Sequence, residues 1–264
     1  MASDASLPAA GEPARHRGLA AHLTQAVARA ALQTEPFEYV YMEGVFAPDV
    51  YREMLTNLPD KRHFHYLRHK DAMRPDGTST RLRMYLYPER LWMLPARQRG
   101  LWQEVSRVLL SRALQEAFLQ KFAQSLEKRF ARKAQDLSFF PVPILVCDLP
   151  GYRIGIHADA TSKAITVQFY LPADASRRQI GTVFHDGRDG AAAARTRTLP
   201  YVPASAYAFP VMPQESWHSV APTTAADGDR YSMMLTYYVQ DTPRTWWKRR
   251  YDRLRCFFGV GPKG

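Results

Sequence analysis

A chain of 264 residues with 46% hydrophobic and 23% charged residues is long enough to bury a full core and too apolar to stay disordered. Its 36 Lys and Arg against 25 Asp and Glu leave a formal charge of +11, which favours anionic partners (nucleic acid, an acidic membrane surface, acidic substrates) without choosing among them. Two distant cysteines, Cys147 and Cys256, lack zinc-ligand spacing, so neither a disulfide framework nor a cysteine-held metal is expected, and a reducing cytoplasmic compartment fits best.

Residues 1–12 are small and polar with Pro and Gly, and are expected to be disordered. Asp4, Glu12 and the basic cluster Arg15-His16-Arg17 interrupt any secretory signal, and no apolar run approaches the roughly 20 residues of a membrane span. Leu19, Leu23, Val27 and Leu32 recur near helical spacing. PFEYVYMEGVF (36–46) reads as a strand, and Ala47-Pro48-Asp49 opens a helix that stops at Pro59. Residues 60–80 read as a polar loop with His63, His65 and His69, and TRLRMYLY (80–87) alternates as a strand does. From Leu94 to about Leu137 the pattern is helical, with Leu101, Val105, Leu109, Leu110 and Leu114 forming an apolar stripe.

After Ser138 the character changes to short β-rich runs punctuated by Pro, Gly and Asp: FFPVPILVCD, YRIGIH, AITVQFYLP, IGTVFHD, TLPYVP, SAYAFP, WHSVAP and YSMMLTYYVQ. Many short strands at regular spacing predict a barrel or double-sheet jelly roll. The expected architecture is α+β: a strand and helix region (13–137) packed on a jelly-roll core (138–241), followed by a basic amphipathic tail (242–264).

The chemistry-bearing residues fall in this β-rich part. A mononuclear non-haem iron site needs two imidazoles and one carboxylate on one face of an octahedron, leaving three positions open. In His157-Ala158-Asp159, strand alternation would put both side chains on one side, and His218 lies 59 residues after Asp159 with several strands between. A dicarboxylic co-substrate needs a bidentate cation, which Arg supplies better than Lys. Arg230 comes 12 residues after His218, just before YSMMLTYY, and Ser232 would share its face. Tyr170 is a further candidate donor, with Gln168 on the same side of its strand.

The order His-Ala-Asp, a Tyr-Leu-Pro strand, IGTVF, SAYAFP, WHSV and RYSMMLTYY closely resembles the prolyl-4-hydroxylase-like iron(II)/2-oxoglutarate dioxygenases over about residues 150–240. PFEYVYMEGVFAPDVYREMLTNLP is similar to that family's lead-in. One departure stands out: Ile180-Gly181 replaces the family's Gly-Gly before the third strand. The resemblance implies a double-stranded β-helix, a cupin-like jelly roll. It implies Fe(II) held by His157, Asp159 and His218, and 2-oxoglutarate held by Arg230 with Tyr170. It also implies O2 as oxidant, ascorbate as an auxiliary reductant, and hydroxylation of an unactivated C–H bond with decarboxylation to succinate. Asp at 159 argues against halogenation, which needs that position vacant.

The substrate is less legible. A small molecule, glycan or lipid headgroup, anionic if the basic residues near 60–83 cover the cleft, is the leading expectation. A peptidyl (prolyl-type) hydroxylase and a non-catalytic jelly-roll binding module are the alternatives. His63, His65 and His69 lack accompanying acidic or cysteine ligands at a recurring spacing and read as a solvated loop. Arg81 and Arg83 read either as part of a basic lid or as surface arginines on an edge strand. In the tail, Trp247, Tyr251, Leu254 and Phe258 recur at helical spacing among six basic residues. Such a helix lies at a membrane interface or docks its aromatic stripe on the barrel or on a second subunit; docking is the expectation. No nucleic-acid-reading motif accompanies the charge, so nucleic acid is not an expected partner. The oligomeric state is not written in these patterns.

Overall fold

The computed structural model describes residues 12–67, 72–187, 195–240 and 242–257. Its elements in chain order begin with α1 (Glu12–Arg29), β1 (Leu32–Gln33), β2 (Tyr39–Met42), α2 (Pro48–Thr56), β3 (His65–Tyr66) and β4 (Arg81–Tyr85). Helices α3 (Pro88–Leu91), α4 (Ala96–Leu109), α5 (Arg112–Lys121) and α6 (Ala123–Phe130) follow. Then come β5 (Phe139–Asp148), β6 (Ile154–His157), β7 (Lys163–Tyr170), β8 (Thr182–His185), β9 (Thr196–Thr198) and β10 (Ala206–Pro210). The chain closes with β11 (Trp217–Val220), β12 (Arg230–Val239) and α7 (Pro243–Phe257).

Two sheets form. The larger runs β1-β2-β10-β7-β12-β5-β4-β3 and the smaller β6-β11-β8-β9, and every pairing is antiparallel. Alternation decides which residue meets which layer. On β12, Met233, Leu235 and Tyr237 join the core shared with the helices, as do Ile165, Val167 and Phe169 of β7. Their alternates, Ser232 on β12 and Gln168 and Tyr170 on β7, face the other way, toward the smaller sheet. There Tyr170, Phe184, Tyr201, Tyr207 and Phe209 fill a second, aromatic core between the sheets. This is the expected α+β jelly roll with helices packed on its outer face.

Several local expectations are corrected. Leu19, Leu23 and Val27 are buried on α1, but the helix ends at Arg29 and Leu32 lies exposed on β1. The expected strand over 36–46 narrows to β2. The long helical stretch from Leu94 divides in three, because the Ser111 side chain accepts from the Leu114 amide and starts α5, while Ala131, with φ of 52°, ends α6. His65 belongs to the edge strand β3 rather than a loop, and its Nε2 lies 2.6 Å from Arg90. His63 ends a short 3-10 turn. His69, the expected disordered residues up to 11, and Phe258 lie outside the described residues.

The tail departs most. It forms α7, as the spacing predicts, and α7 docks on the body, but through Arg249, Asp252 and Cys256. Cys256 enters a cluster with Tyr85, Tyr87, Phe140 and Val142, and Arg249 stacks 4.1 Å above the Tyr238 ring. The aromatic stripe faces outward instead. An arginine stem and planar guanidinium cover apolar surface well, so a charged face can pack where the sequence pattern points to an aromatic one.

Candidate active site

The smaller sheet brings the predicted ligands together. His157 and His218 are direct cross-strand partners on β6 and β11, with ring centroids 4.2 Å apart. β6 ends at His157, so Asp159 reaches the site from the turn beyond rather than by strand alternation. One ligand atom from each of His157, Asp159 and His218 falls within 4.8 Å of the others, and this is the one metal-fitting group of three among the described residues.

Local hydrogen bonds orient each ligand. His157 Nδ1 lies 3.0 Å from the Gly155 carbonyl and His218 Nδ1 3.1 Å from the Ser216 carbonyl, each two residues upstream. A carbonyl only accepts, so both rings carry a proton on Nδ1 and leave Nε2 as the nitrogen available to a metal, the arrangement metal-bound imidazoles adopt. Burial pushes His218 down to about 4, with Asp159 pulling upward and His157 adding to the fall, so it is neutral at pH 7. Asp159 Oδ2 accepts from Thr166 Oγ1 at 2.6 Å, and Oδ1 accepts from the Lys163 ammonium. Burial alone would raise the Asp159 pKa, but Lys163, then His218, then these hydrogen bonds outweigh it and hold the carboxyl well below its usual range.

Arg230 sits on the larger sheet with its side chain fully buried. Its Nη1 donates to Asp148 Oδ2 at 2.9 Å and its Nε to the Ile180 carbonyl at 3.0 Å. The Ile180-Gly181 turn therefore keeps the property the site needs. A Cβ at Gly181 would stand 1.6 Å from the Leu199 carbonyl oxygen, so this position admits only glycine, whereas Ile180 contributes through its backbone. Arg81 donates to the same carboxylate through Nε at 2.6 Å and Nη2 at 3.0 Å, with the Tyr152 ring 4.2 Å away. Strand register builds this cluster, since Asp148 is the cross-strand partner of both Arg81 and Arg230. Arg81 is thus neither lid nor surface residue. Arg230 Nη2 is buried and has no partner.

A relay of polar side chains links the predicted donors. Tyr170 OH donates to Thr182 Oγ1 at 2.9 Å and accepts from the Thr182 amide at 2.8 Å. Thr182 Oγ1 lies 3.0 Å from Tyr207 OH, which donates to Gln168 Oε1 at 2.6 Å. Gln168 Nε2 donates to Ser232 Oγ at 2.9 Å. Tyr170 and Tyr207 have committed their hydroxyl protons inside this chain and Gln168 one of its two N–H groups, and Ser232 accepts at its end with its own proton unspent. Two free donors therefore share the β12 face two residues apart: the Ser232 hydroxyl and Arg230 Nη2. Tyr170 and Tyr201 present their rings 5.2 and 5.1 Å from the guanidinium.

These observations fit a divalent metal and a carboxylate. Two imidazole Nε2 atoms and a carboxylate suit iron(II), and an orphaned, buried guanidinium nitrogen beside a free hydroxyl suits an anion. Sequence reasoning missed Asp148, Lys163, Thr166, Thr182 and Tyr207, and named Arg81 without its partner Asp148. A carboxylate closing the apolar run FFPVPILVCD was a readable signal for Asp148; nothing distinguished Tyr207 from an ordinary core tyrosine.

Solved structures share the fold. A prolyl hydroxylase from Trichoplax adhaerens, in complex with a peptide fragment of the hypoxia inducible factor oxygen degradation domain, matches with a TM-score of 0.51 and 11% identity, covering 88% of this chain and 94% of its own. A Pseudomonas putida prolyl-4-hydroxylase matches with a TM-score of 0.50 and 14% identity, covering 84% of this chain and 99% of its own. No protein-family model matches the chain, and no curated protein sequence does. At these identities the likeness establishes the fold, and the roles of the residues rest on the geometry above.

Proposed function

We propose that this chain is an iron(II)- and 2-oxoglutarate-dependent oxygenase of the prolyl-4-hydroxylase-like superfamily. Its substrate class in this reading is a small molecule, glycan or lipid headgroup, hydroxylated at an unactivated C–H bond. The observation that carries the reading is the pairing of a His-Asp-His group with a second, anion-seeking pole: Arg230 Nη2 and the Ser232 hydroxyl. A cation site and an anion site built into one barrel call for a ligand that bridges them, as a keto acid with a second carboxylate does.

When bound, iron(II) and 2-oxoglutarate supply the oxidising chemistry with O2, releasing succinate and carbon dioxide, and ascorbate serves to restore iron(II). The chain's own residues do the rest. His157 and His218 offer Nε2 because backbone carbonyls hold their Nδ1 protons. Asp159 fills the position a halide would need, which favours hydroxylation. Arg230 and Ser232 receive the far carboxylate, and the surrounding tyrosine rings keep water from it, which strengthens a charge-assisted contact. Residues 138–241 carry this catalytic unit and 13–137 support it.

The test is anaerobic iron(II) binding together with conversion of 2-oxoglutarate to succinate without a prime substrate. The wild-type chain is expected to do both. His218→Ala is expected to lose iron, while Arg230→Met keeps iron and needs far more 2-oxoglutarate. Absence of both activities in the wild type, or equal loss of iron in the two variants, would overturn the assignment.

A further inference from the structure

Of the six cations on helix α7, only Arg249 is buried on the docked face. Arg249, Asp252 and Cys256 are buried against the body, whereas Trp247, Tyr251 and Leu254 are 67%, 62% and 57% exposed. Spaced i, i+4 and i+7, these three form one stripe, and at about 100° per residue it points directly away from the docked face. Single exposed apolar residues are ordinary, but a contiguous stripe of large ones marks a surface that meets a partner.

The charges around the stripe say which partner. Arg244, Lys248 and Arg255 run along one edge, and Arg250 lies on the other with its guanidinium 3.4 Å above the Trp246 ring. The helix carries six cations and a single acid, Asp252, which is turned inward and bonded to Lys248 at 3.2 Å. Beside it, α3 is tied to α7 through the Arg253–Glu89 ion pair and is followed by Trp92, a further exposed aromatic. A second copy of the chain would set one cationic stripe against another. An anionic lipid surface satisfies both features, taking indole, phenol and leucine into the headgroup boundary and the flanking cations onto lipid phosphates. No helix among the described residues is long and apolar enough to cross a bilayer, so the contact is peripheral.

We propose that the outward stripe of α7, Trp247, Tyr251 and Leu254 with its cationic borders, docks the protein on an anionic membrane surface. The inference does not depend on the metal or on turnover.

Sedimentation of the full chain with phosphatidylcholine vesicles, with and without phosphatidylglycerol, tests it. The wild type is expected to pellet with the anionic vesicles, with a blue shift of tryptophan emission, and to bind the neutral ones weakly. The triple variant Trp247→Ser, Tyr251→Ser, Leu254→Ser touches only exposed side chains and is expected to keep the fold by circular dichroism. It should lose about a hundredfold or more in vesicle affinity. Arg244→Gln with Arg255→Gln is expected to lose about fivefold per cation on anionic vesicles and little on neutral ones. Wild-type chain that stays in the supernatant, a triple variant that binds as well as the wild type, or a stripe-dependent dimer without vesicle binding would each overturn the proposal.

Discussion

The two poles of the barrel balance charge in opposite ways. At the metal pole, Asp159 is buried but compensated, because the Lys163 ammonium sits on one oxygen and Thr166 on the other. At the arginine pole, two guanidiniums share the single carboxylate of Asp148, and the Nη2 group of Arg230 has no acceptor. The carboxylate of the first pole already has its counter-charge in Lys163; the second pole is one anion short. A cation arriving at the metal pole must compete with Lys163, whereas an arriving carboxylate displaces nothing and supplies what the arginine pole lacks. The poles differ in rigidity as well. The candidate metal ligands hang on strands of four residues and the loop after β6, while the arginine cluster is fixed by register across three neighbouring strands.

The sharpest way to break this contrast is to remove Asp148. Asp148→Asn preserves volume but leaves the buried Arg230 guanidinium and the partly buried Arg81 guanidinium without a counter-charge, and is expected to cost about 3 kcal/mol or more of unfolding free energy in urea. Arg230→Met should cost less than about 2 kcal/mol, because Arg81 still pairs with Asp148 through two hydrogen bonds. Equal costs for the two variants would mean that the carboxylate is not the centre of the cluster.

The metal pole is probed by Lys163→Met. The ammonium holds the Asp159 carboxyl well below its usual range, so its loss leaves the carboxylate supported only by His218 and the Thr166 hydroxyl. The metal-free variant is expected to be about 2 kcal/mol less stable than the wild type at pH 7. Added iron(II) or a redox-inert divalent ion should then raise its melting temperature more than it raises that of the wild type, since no lysine has to be displaced. A smaller metal-induced rise in the variant would show that Lys163 assists the ion rather than competing with it.

The contrast also explains what could be read from the chain alone. The grouping of the two histidines with Asp159 and the inward placement of Arg230 were legible because each proposed chemistry restricts the residue type and the strand order restricts the spacing. The β-rich half was legible from its punctuation. Their neighbours were not, because they are defined by register: Asp148 meets Arg81 from 67 residues away and Arg230 from 82. No local pattern encodes such a meeting. Arg81 in particular belongs to an alternating strand in which an inward and an outward arginine look alike until the partner strand is placed. The face on which α7 docks was illegible for a related reason, since an arginine stem buries apolar area as an aromatic ring does.

The smallest expected effects lie in the donor chain, where two hydroxyls that look equivalent in sequence differ in what they have left to give. The Ser232 proton is unspent, so Ser232→Ala should remove one hydrogen bond to the far carboxylate. That is about 1 kcal/mol, or roughly a fivefold higher 2-oxoglutarate requirement at unchanged iron affinity. The Tyr170 proton is spent on Thr182, and its oxygen also receives the Thr182 amide. Tyr170→Phe therefore strands a buried amide and loosens the turn that carries Ile180, whose carbonyl holds Arg230. Its effect should appear first as about 1–3 kcal/mol of lost stability, and only through Arg230 as a weaker hold on the co-substrate. If Tyr170→Phe instead raises the 2-oxoglutarate requirement with stability intact, the hydroxyl turns toward the co-substrate when it binds. Tyr170, rather than Ser232, is then the second donor of the arginine pole.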